Sequence, residues 1–256
     1  MTRIFLAPEH LTSDEIVISG ENARHLALVL RIEAGEPLEV LDGEGHKYTC
    51  TVKKSHKKEV IAEIINKEPY SVESPVAVTL CQGIARGEKM DLIIKKSTEL
   101  GVNKIIPVIT DRSQVKNTNK LERWRKIATS AAEQSGRERV PEILEPVTLD
   151  VLLNINNPPS SLSAGQTGPY ANGGILKLIL SESYKEQNMK EILKAEKDIK
   201  QILLLIGPEG GFSKEEITGA VENGFMEVSL GPRILRTETA PIAVISIIQY
   251  ERGDVG

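Results

Sequence analysis

The chain has 256 residues, 27% charged and 40% hydrophobic, with a formal net charge of -4; this is enough for one large domain or two smaller ones with a real core. Its two cysteines, Cys50 and Cys81, and four scattered histidines lack metal-ligand spacing, which argues against a metal site and fits a reducing cytoplasm. No apolar run approaches the length of a membrane span, so a cytoplasmic protein without a membrane segment is expected.

The negative total speaks against a nucleic-acid partner, because phosphate contacts dominate such affinities. Its distribution weakens that objection. Residues 85 to 140 carry 13 Lys+Arg against 7 Asp+Glu, whereas residues 1 to 74 carry 9 against 13. Solvated helix faces use such charges equally well.

Residues 1 to about 72 alternate short strand-like runs with turns: EIVIS at 15 to 19, PLEVLD at 37 to 42, HKYTCTVKK at 46 to 54 and EVIAEIINK at 59 to 67. Asp42-Gly43 marks a tight hairpin between the second and third, and several short strands close together imply a small barrel. Between the first two, ENARHLALVLRI places Leu26, Val29 and Leu30 on one helical stripe. The lysine-rich stretch at 53 to 58 suits a phosphate-contacting loop or a solvated hairpin end.

PYSVESP, 69 to 75, reads as a linker, and the pattern changes after it. The strand VAVTLCQGI, the helix GEKMDLIIKKSTELG and the strand NKIIPVITD give a βαβ rhythm, hence a parallel sheet covered by helices. LERWRKIATSAAEQSG follows as an amphipathic helix on which Leu121, Trp124, Ile127, Ala128 and Ala131 share a face, and core packing is the expected role of Trp124. Residues 154 to 174 are almost all turn formers and read as a surface insertion or lid. A strand at 175 to 181 and a charged helix near 186 to 197 come next.

Ile202 to Ile206 then form an apolar run typical of a strand buried on both faces. It feeds Gly207-Pro208-Glu209-Gly210-Gly211, and Ser213 with Glu216 makes a capping box that opens a helix ending near Asn223-Gly224. A glycine-rich loop at a helix start lets a ligand approach the backbone closely. This one lacks the Lys-Ser/Thr of a P-loop and the Gly-x-Gly-x-x-Gly spacing of a dinucleotide fold, which disfavours a phosphate-binding hydrolase. After the strand-like FMEVSL comes LGPRILRTETAP, and the chain closes on the apolar helix APIAVISIIQYER.

The pair LIGPEGGFSKEE and LGPRILRTETAP, with KMDLIIKKSTELGVNKIIPV, AAEQSGRERVPEI, Arg24-His25 and VLR at 29 to 31, resembles the RsmE family of SPOUT methyltransferases across nearly the whole chain. The resemblance implies an α/β fold: a SPOUT-type trefoil-knotted parallel-sheet domain at 73 to 256 and a smaller N-terminal PUA-like β-barrel, RNA-binding, at 1 to 72. It implies methylation of uridine N3 in 16S ribosomal RNA of the small ribosomal subunit, with S-adenosyl-L-methionine as methyl donor, by a homodimer. By the same resemblance, Ile206, Gly207, Glu209, Gly210, Gly211, Leu230, Gly231, Ile234, Leu235, Arg236, Thr237 and Ala240 are expected cofactor contacts. Arg3, Arg24, Arg31, Arg112, Gln134 and Arg137 are expected RNA contacts.

The chemistry narrows the remaining candidates. A sulfonium already activates its methyl group, so the enzyme mainly aligns donor and nucleophile. Uridine N3 carries an imide proton that must leave, which calls for a base or a cation that stabilises the developing anion. Arg137, Arg236 and Glu238 are the candidates, and Glu238 is equally placed to cap the helix before Pro241. Two other readings stay open: a SPOUT methyltransferase for another RNA position, and a non-catalytic RNA-binding or assembly protein.

Overall fold

The computed structural model describes residues 2–116, 118–154, 174–181, 189–195 and 199–256. The insertion expected at 154 to 174 lies, apart from its two end residues, outside them. The chain divides into two compact units, one of Met1–Glu73 with Thr129–Val140, the other of Ser74–Ala128 with Pro141–Gly256.

In the first unit, β1 Thr2–Phe5, β2 Glu15–Ser19, β3 Pro37–Leu41, β4 His46–His56 and β5 Glu59–Pro69 form a mixed sheet in the order β1, β3, β4, β5, β2. Alternation sets its inner face: on β2, Ile16 and Ile18 point into the core while Glu15, Val17 and Ser19 stay outside. Between β3 and β4 the predicted hairpin is present. The Asp42 carboxylate accepts the amides of Glu44 at 2.8 Å and His46 at 3.0 Å, and Gly43 and Gly45 take φ of 73° and 103°. Strand β1 carries no sequence signal of its own. Four residues are too few for a period, and it forms by parallel pairing with β3, Ile4 opposite Val40.

The segment after β2 departs from the expected stripe. Helix α1, Gly20–Arg24, widens over His25–Val29, where the Leu30 amide bonds to the His25 carbonyl at 3.0 Å, five residues back. The wider turn shifts the helical phase, so Leu26 is buried while Val29 and Leu30 are 66% and 45% exposed.

The second unit is a parallel sheet. Its described strands are β6 Ala77–Gly83, β7 Lys104–Ile109, β8 Glu142–Ile143, β9 Val147–Thr148, β10 Ile175–Leu180, β11 Gln201–Ile206 and β12 Met226–Val228. The order is β12, β10, β11, β6, β7, β8, with β9 also on β7. Helices α2 Lys89–Glu99, α3 Leu121–Ser135, α4 Leu149–Asn154, α5 Met189–Ala195, α6 Lys214–Glu222 and α7 Thr239–Arg252 complete it; the end of α3 belongs to the first unit. The apolar run of β11 lies between β10 and β6 with Ile202, Leu204, Leu205 and Ile206 buried, as a strand covered on both faces must. Trp124 is buried in the core. On α7, buried Gln249 accepts from the Ser74 hydroxyl at 2.7 Å and donates to the Leu100 carbonyl at the end of α2 at 3.0 Å.

Gly83 ends β6 against the loop after β11. A Cβ there would stand 2.5 Å from the nitrogen and Cδ of Pro208, which are ring and backbone atoms with no rotamer to yield. Gly83→Ala is expected to destabilise the protein by about 1–3 kcal/mol through overpacking, read as a lower denaturation midpoint at unchanged m-value.

Candidate active site

Strand β11 delivers Gly207 to Phe212 to the start of α6. The turn closes through the Gly211 amide on the Pro208 carbonyl at 2.9 Å, with Gly211 at φ 64°. The capping box is formed: Glu216 N donates to Ser213 Oγ at 3.1 Å, and Ser213 N to Glu216 Oε2 at 2.7 Å. Glu216 Oε1 also accepts the Asp111 amide at 2.7 Å, so the loop after β7 is tied to the same helix start. There, Arg112 Nη1 donates to the Gly210 carbonyl at 3.2 Å, and a Cβ on Gly210 would meet Arg112 Cβ at 3.0 Å.

The second loop runs from Leu230 to Glu238 ahead of α7. Gly231 to Ile234 and Arg236 are exposed, Ile234 at 73%, whereas Leu230, Leu235 and Glu238 are half-buried and Thr237 is buried and donates from Oγ1 to the Gly207 carbonyl at 2.8 Å. Gln82, near the end of β6, completes the junction. Its Nε2 donates to the carbonyls of Gly83 at 3.0 Å and Gly207 at 3.3 Å and to Thr237 Oγ1 at 3.3 Å. One buried amide therefore pins three chain segments together. Among the described residues its Oε1 is buried with no hydrogen-bond partner.

Charge is organised beside this junction. Glu209 accepts from Lys89 Nζ at 3.0 Å and from the Arg86 amide at 3.1 Å. Burial alone would raise its pKa; the Lys89 ion pair and the amide donors outweigh that and hold the carboxyl below its ordinary value. Lys89 also lies 3.9 Å from Glu238, and Arg236 lies 4.0 Å from it on the other side. Glu238 occupies the residue before α7 without a side-chain cap bond, and its Oε2, the oxygen nearest Lys89, is buried with no hydrogen-bond partner among the described residues.

Arg236 and Glu238 are thus neighbours in the second unit, with all the expected cofactor residues in that unit. Arg137 belongs to the first unit, where it is buried and its guanidinium grips Glu73, through Nε to Oε1 at 3.1 Å and through Nη2 to Oε2. Arg3 is held by Glu39, Nη2 to Oε2 at 2.6 Å; Arg24, Arg31 and Gln134 are exposed in the same unit; Arg112 belongs to the second unit. Sequence reasoning missed Gln82, Glu73 and the bridging role of Lys89. The one available signal was an amide at the end of an otherwise largely apolar strand.

Two family models match the chain: an RNA methyltransferase domain over residues 72–249 and an RNA methyltransferase PUA domain over residues 18–65. The ribosomal RNA small subunit methyltransferase E of Bacillus subtilis is 32% identical, covering 93% of this chain and 92% of that one. The crystal structure of the Neisseria gonorrhoeae methyltransferase E bound to S-adenosyl methionine matches with a TM-score of 0.85 at 35% identity. A putative methyltransferase of Legionella pneumophila in complex with the same cofactor matches at 0.86 and 35%, each covering 100% of both chains. The fold is accordingly a SPOUT-type trefoil-knotted parallel-sheet domain with a smaller PUA-like domain, the architecture of an RNA methyltransferase. The chain belongs to the ribosomal RNA small subunit methyltransferase E family.

The Arg137–Glu73 pair yields a direct test. Arg137→Ala is expected to cost about 1–3 kcal/mol by taking the guanidinium from the half-buried Glu73 carboxylate, which keeps the Arg139 amide at 3.3 Å, whereas the double variant Arg137→Met, Glu73→Met should recover most of that loss. Urea denaturation of the two variants checks this.

Proposed function

We propose that this chain transfers a methyl group from S-adenosyl-L-methionine to N3 of a uridine in 16S ribosomal RNA of the small ribosomal subunit, acting in the cytoplasm as a homodimer. In this reading residues 1–72 serve as the RNA-binding PUA-like domain and residues 73–256 as the catalytic domain. The observation that carries it is the junction of Gln82, Gly207 and Thr237, which brings the two glycine-bearing loops together. Two relatives of 35% identity whose structures contain S-adenosylmethionine support it.

The residues present fit that cofactor. Gly211 and Gly231 have nothing within 4 Å of where a Cβ would stand, so a ligand can approach their backbone closely, and Gln82 Oε1 is a buried acceptor with no hydrogen-bond partner among the described residues. Hydroxyl and amino donors of the cofactor suit such an acceptor. Ile206, Gly207, Glu209, Gly210 and Gly211 hold it from the first loop; Leu230, Gly231, Ile234, Leu235, Arg236, Thr237 and Ala240 hold it from the second. Bound there, the sulfonium supplies an electrophilic methyl group.

The remaining work falls to the protein. Methylation at N3 replaces the imide proton, so a group must take that proton and another must steady the negative charge that spreads onto the flanking carbonyls. We assign the proton to Glu238, whose Oε2 has open acceptor capacity, and the charge to the exposed Arg236 beside it. Lys89 holds Glu209 and Glu238 in register from the other side. Arg137, the third candidate, is engaged by Glu73 and acts in this scheme by shaping the segment from Glu133 to Arg137 for RNA. The apolar helix α7 supplies a face for the second subunit.

The purified protein, given labelled S-adenosylmethionine and small subunits from cells lacking this modification, is expected to produce N3-methyluridine, identified by mass analysis of nucleosides. A different methylated nucleoside would overturn the assignment of position, and no transfer despite cofactor binding would overturn the substrate. Gly210→Val is expected to lower cofactor affinity at least tenfold, because its side chain enters the space between this loop and Arg112; unchanged affinity by calorimetry would remove Gly210 from the site.

A further inference from the structure

The first unit contains an open surface cavity of about 660 Å³, within the size range of small-ligand sites, that takes no part in the methyl-transfer step itself. Its walls come from four places: the start of β1, the wide turn after α1, the start of β3 and the end of α3. The hydrogen bond from the Leu30 amide to the His25 carbonyl places those two residues one above the other, and both line the cavity. The regular helix expected here would have turned Leu30 toward the core instead.

The lining is more acidic than basic. Glu36, Glu39 and Glu133 face Arg3 and His25, and Arg3 is already committed to Glu39. A phosphate group would be repelled from such a space. A nucleobase edge carrying N–H donors would be welcome, since carboxylates accept from exocyclic amines. Glu133 is the group best placed to do this. Its Oε1 takes the Phe5 amide at 3.2 Å, which fixes the carboxylate, and a carboxylate retains further acceptor positions beyond one such bond. Burial raises its pKa, offset in part by that amide and by His25. Leu30 adds an apolar surface against which a base can pack.

The rim has the opposite character. Arg24 and Arg31 are both exposed on the segment that carries His25 and Leu30. Arg31 has φ of 54°, a left-handed conformation uncommon for arginine, directly after Leu30. Acceptors inside and cations outside match a base turned inward with its phosphates left in solvent.

We propose that this cavity takes one unstacked nucleotide of single-stranded RNA and reads a base that bears an exocyclic amino group, with Glu133 accepting its N–H and Arg24 and Arg31 holding the flanking phosphates. This deepens the RNA methyltransferase reading and rests on it. The nucleotide concerned is distinct from the methylated uridine, which has no exocyclic amine.

The test uses fluorescein-labelled single-stranded hexanucleotides: an all-uridine probe and three others in which one central uridine is replaced by adenosine, cytidine or guanosine. The full-length protein is expected to bind at least one amino-bearing probe about tenfold more tightly than the all-uridine probe. Glu133→Gln, which keeps an oxygen for the Phe5 amide, should abolish that preference. Ser130→Trp, which fills the cavity from α3, should abolish it too and serves if Glu133→Gln fails to fold. Arg24→Ala and Arg31→Ala should weaken every probe alike and flatten the salt dependence. Equal affinity for all four probes, or a preference that survives both Glu133→Gln and Ser130→Trp, overturns the proposal. Methyl transfer to small subunits, measured on the same preparations, separates the two failures: transfer without base preference overturns only the cavity, and absence of both transfer and RNA binding overturns the underlying reading.

Discussion

The structure of the second unit depends on the buried amide of Gln82. Its Nε2 and the Thr237 hydroxyl both donate to the Gly207 carbonyl, which fastens the end of β6, the loop after β11 and the loop before α7 at one point. A loop with several glycines has little reason to hold a single shape, because glycine loses more backbone freedom on ordering than any other residue. The junction supplies that reason. It satisfies carbonyls that would otherwise be costly to bury, and it leaves Gln82 Oε1 without a hydrogen-bond partner among the described residues, in a site we assign to a hydrogen-bonding cofactor.

The electrostatic arrangement follows from the same fold. Lys89 at the start of α2 reaches both Glu209 and Glu238, so the first and second loops share one cation as well as one amide. Glu209 is ionised below the usual carboxylate range, and the stability it contributes is present at neutral pH and lost as the pH falls through its depressed value. Arg137 and Arg3 are neutralised by Glu73 and Glu39. A net charge of -4 therefore says little about the surface offered to a nucleic acid: what matters is which cations remain exposed, such as Arg24, Arg31 and Arg112.

Local features were legible in the sequence and tertiary ones were not. The alternation of EIVIS, the Asp42-Gly43 hairpin, the buried run of β11 and the Ser213–Glu216 capping box each depend on neighbouring residues, and each appears as read. By contrast, β1, β8 and β9 are short strands that exist through their partners. The stripe of Leu26, Val29 and Leu30 failed because one five-residue hydrogen bond changed the phase of the turn. Gln82 and Glu73 were invisible because their partners lie 125 and 64 residues away. For the same reason no periodicity could reveal the trefoil knot; only the resemblance carried it.

The central claim is that the Gln82–Thr237–Gly207 junction builds the cofactor site. The most direct measurement is the calorimetric affinity of the Thr237→Val protein for S-adenosylmethionine. Valine keeps the shape of threonine and removes the hydroxyl that donates to Gly207 and accepts from Gln82. The account predicts a loss of tenfold or more in affinity, equivalent to about 1.4 kcal/mol or more, with a far-UV spectrum like that of the parent. An unchanged affinity in a folded variant would contradict it.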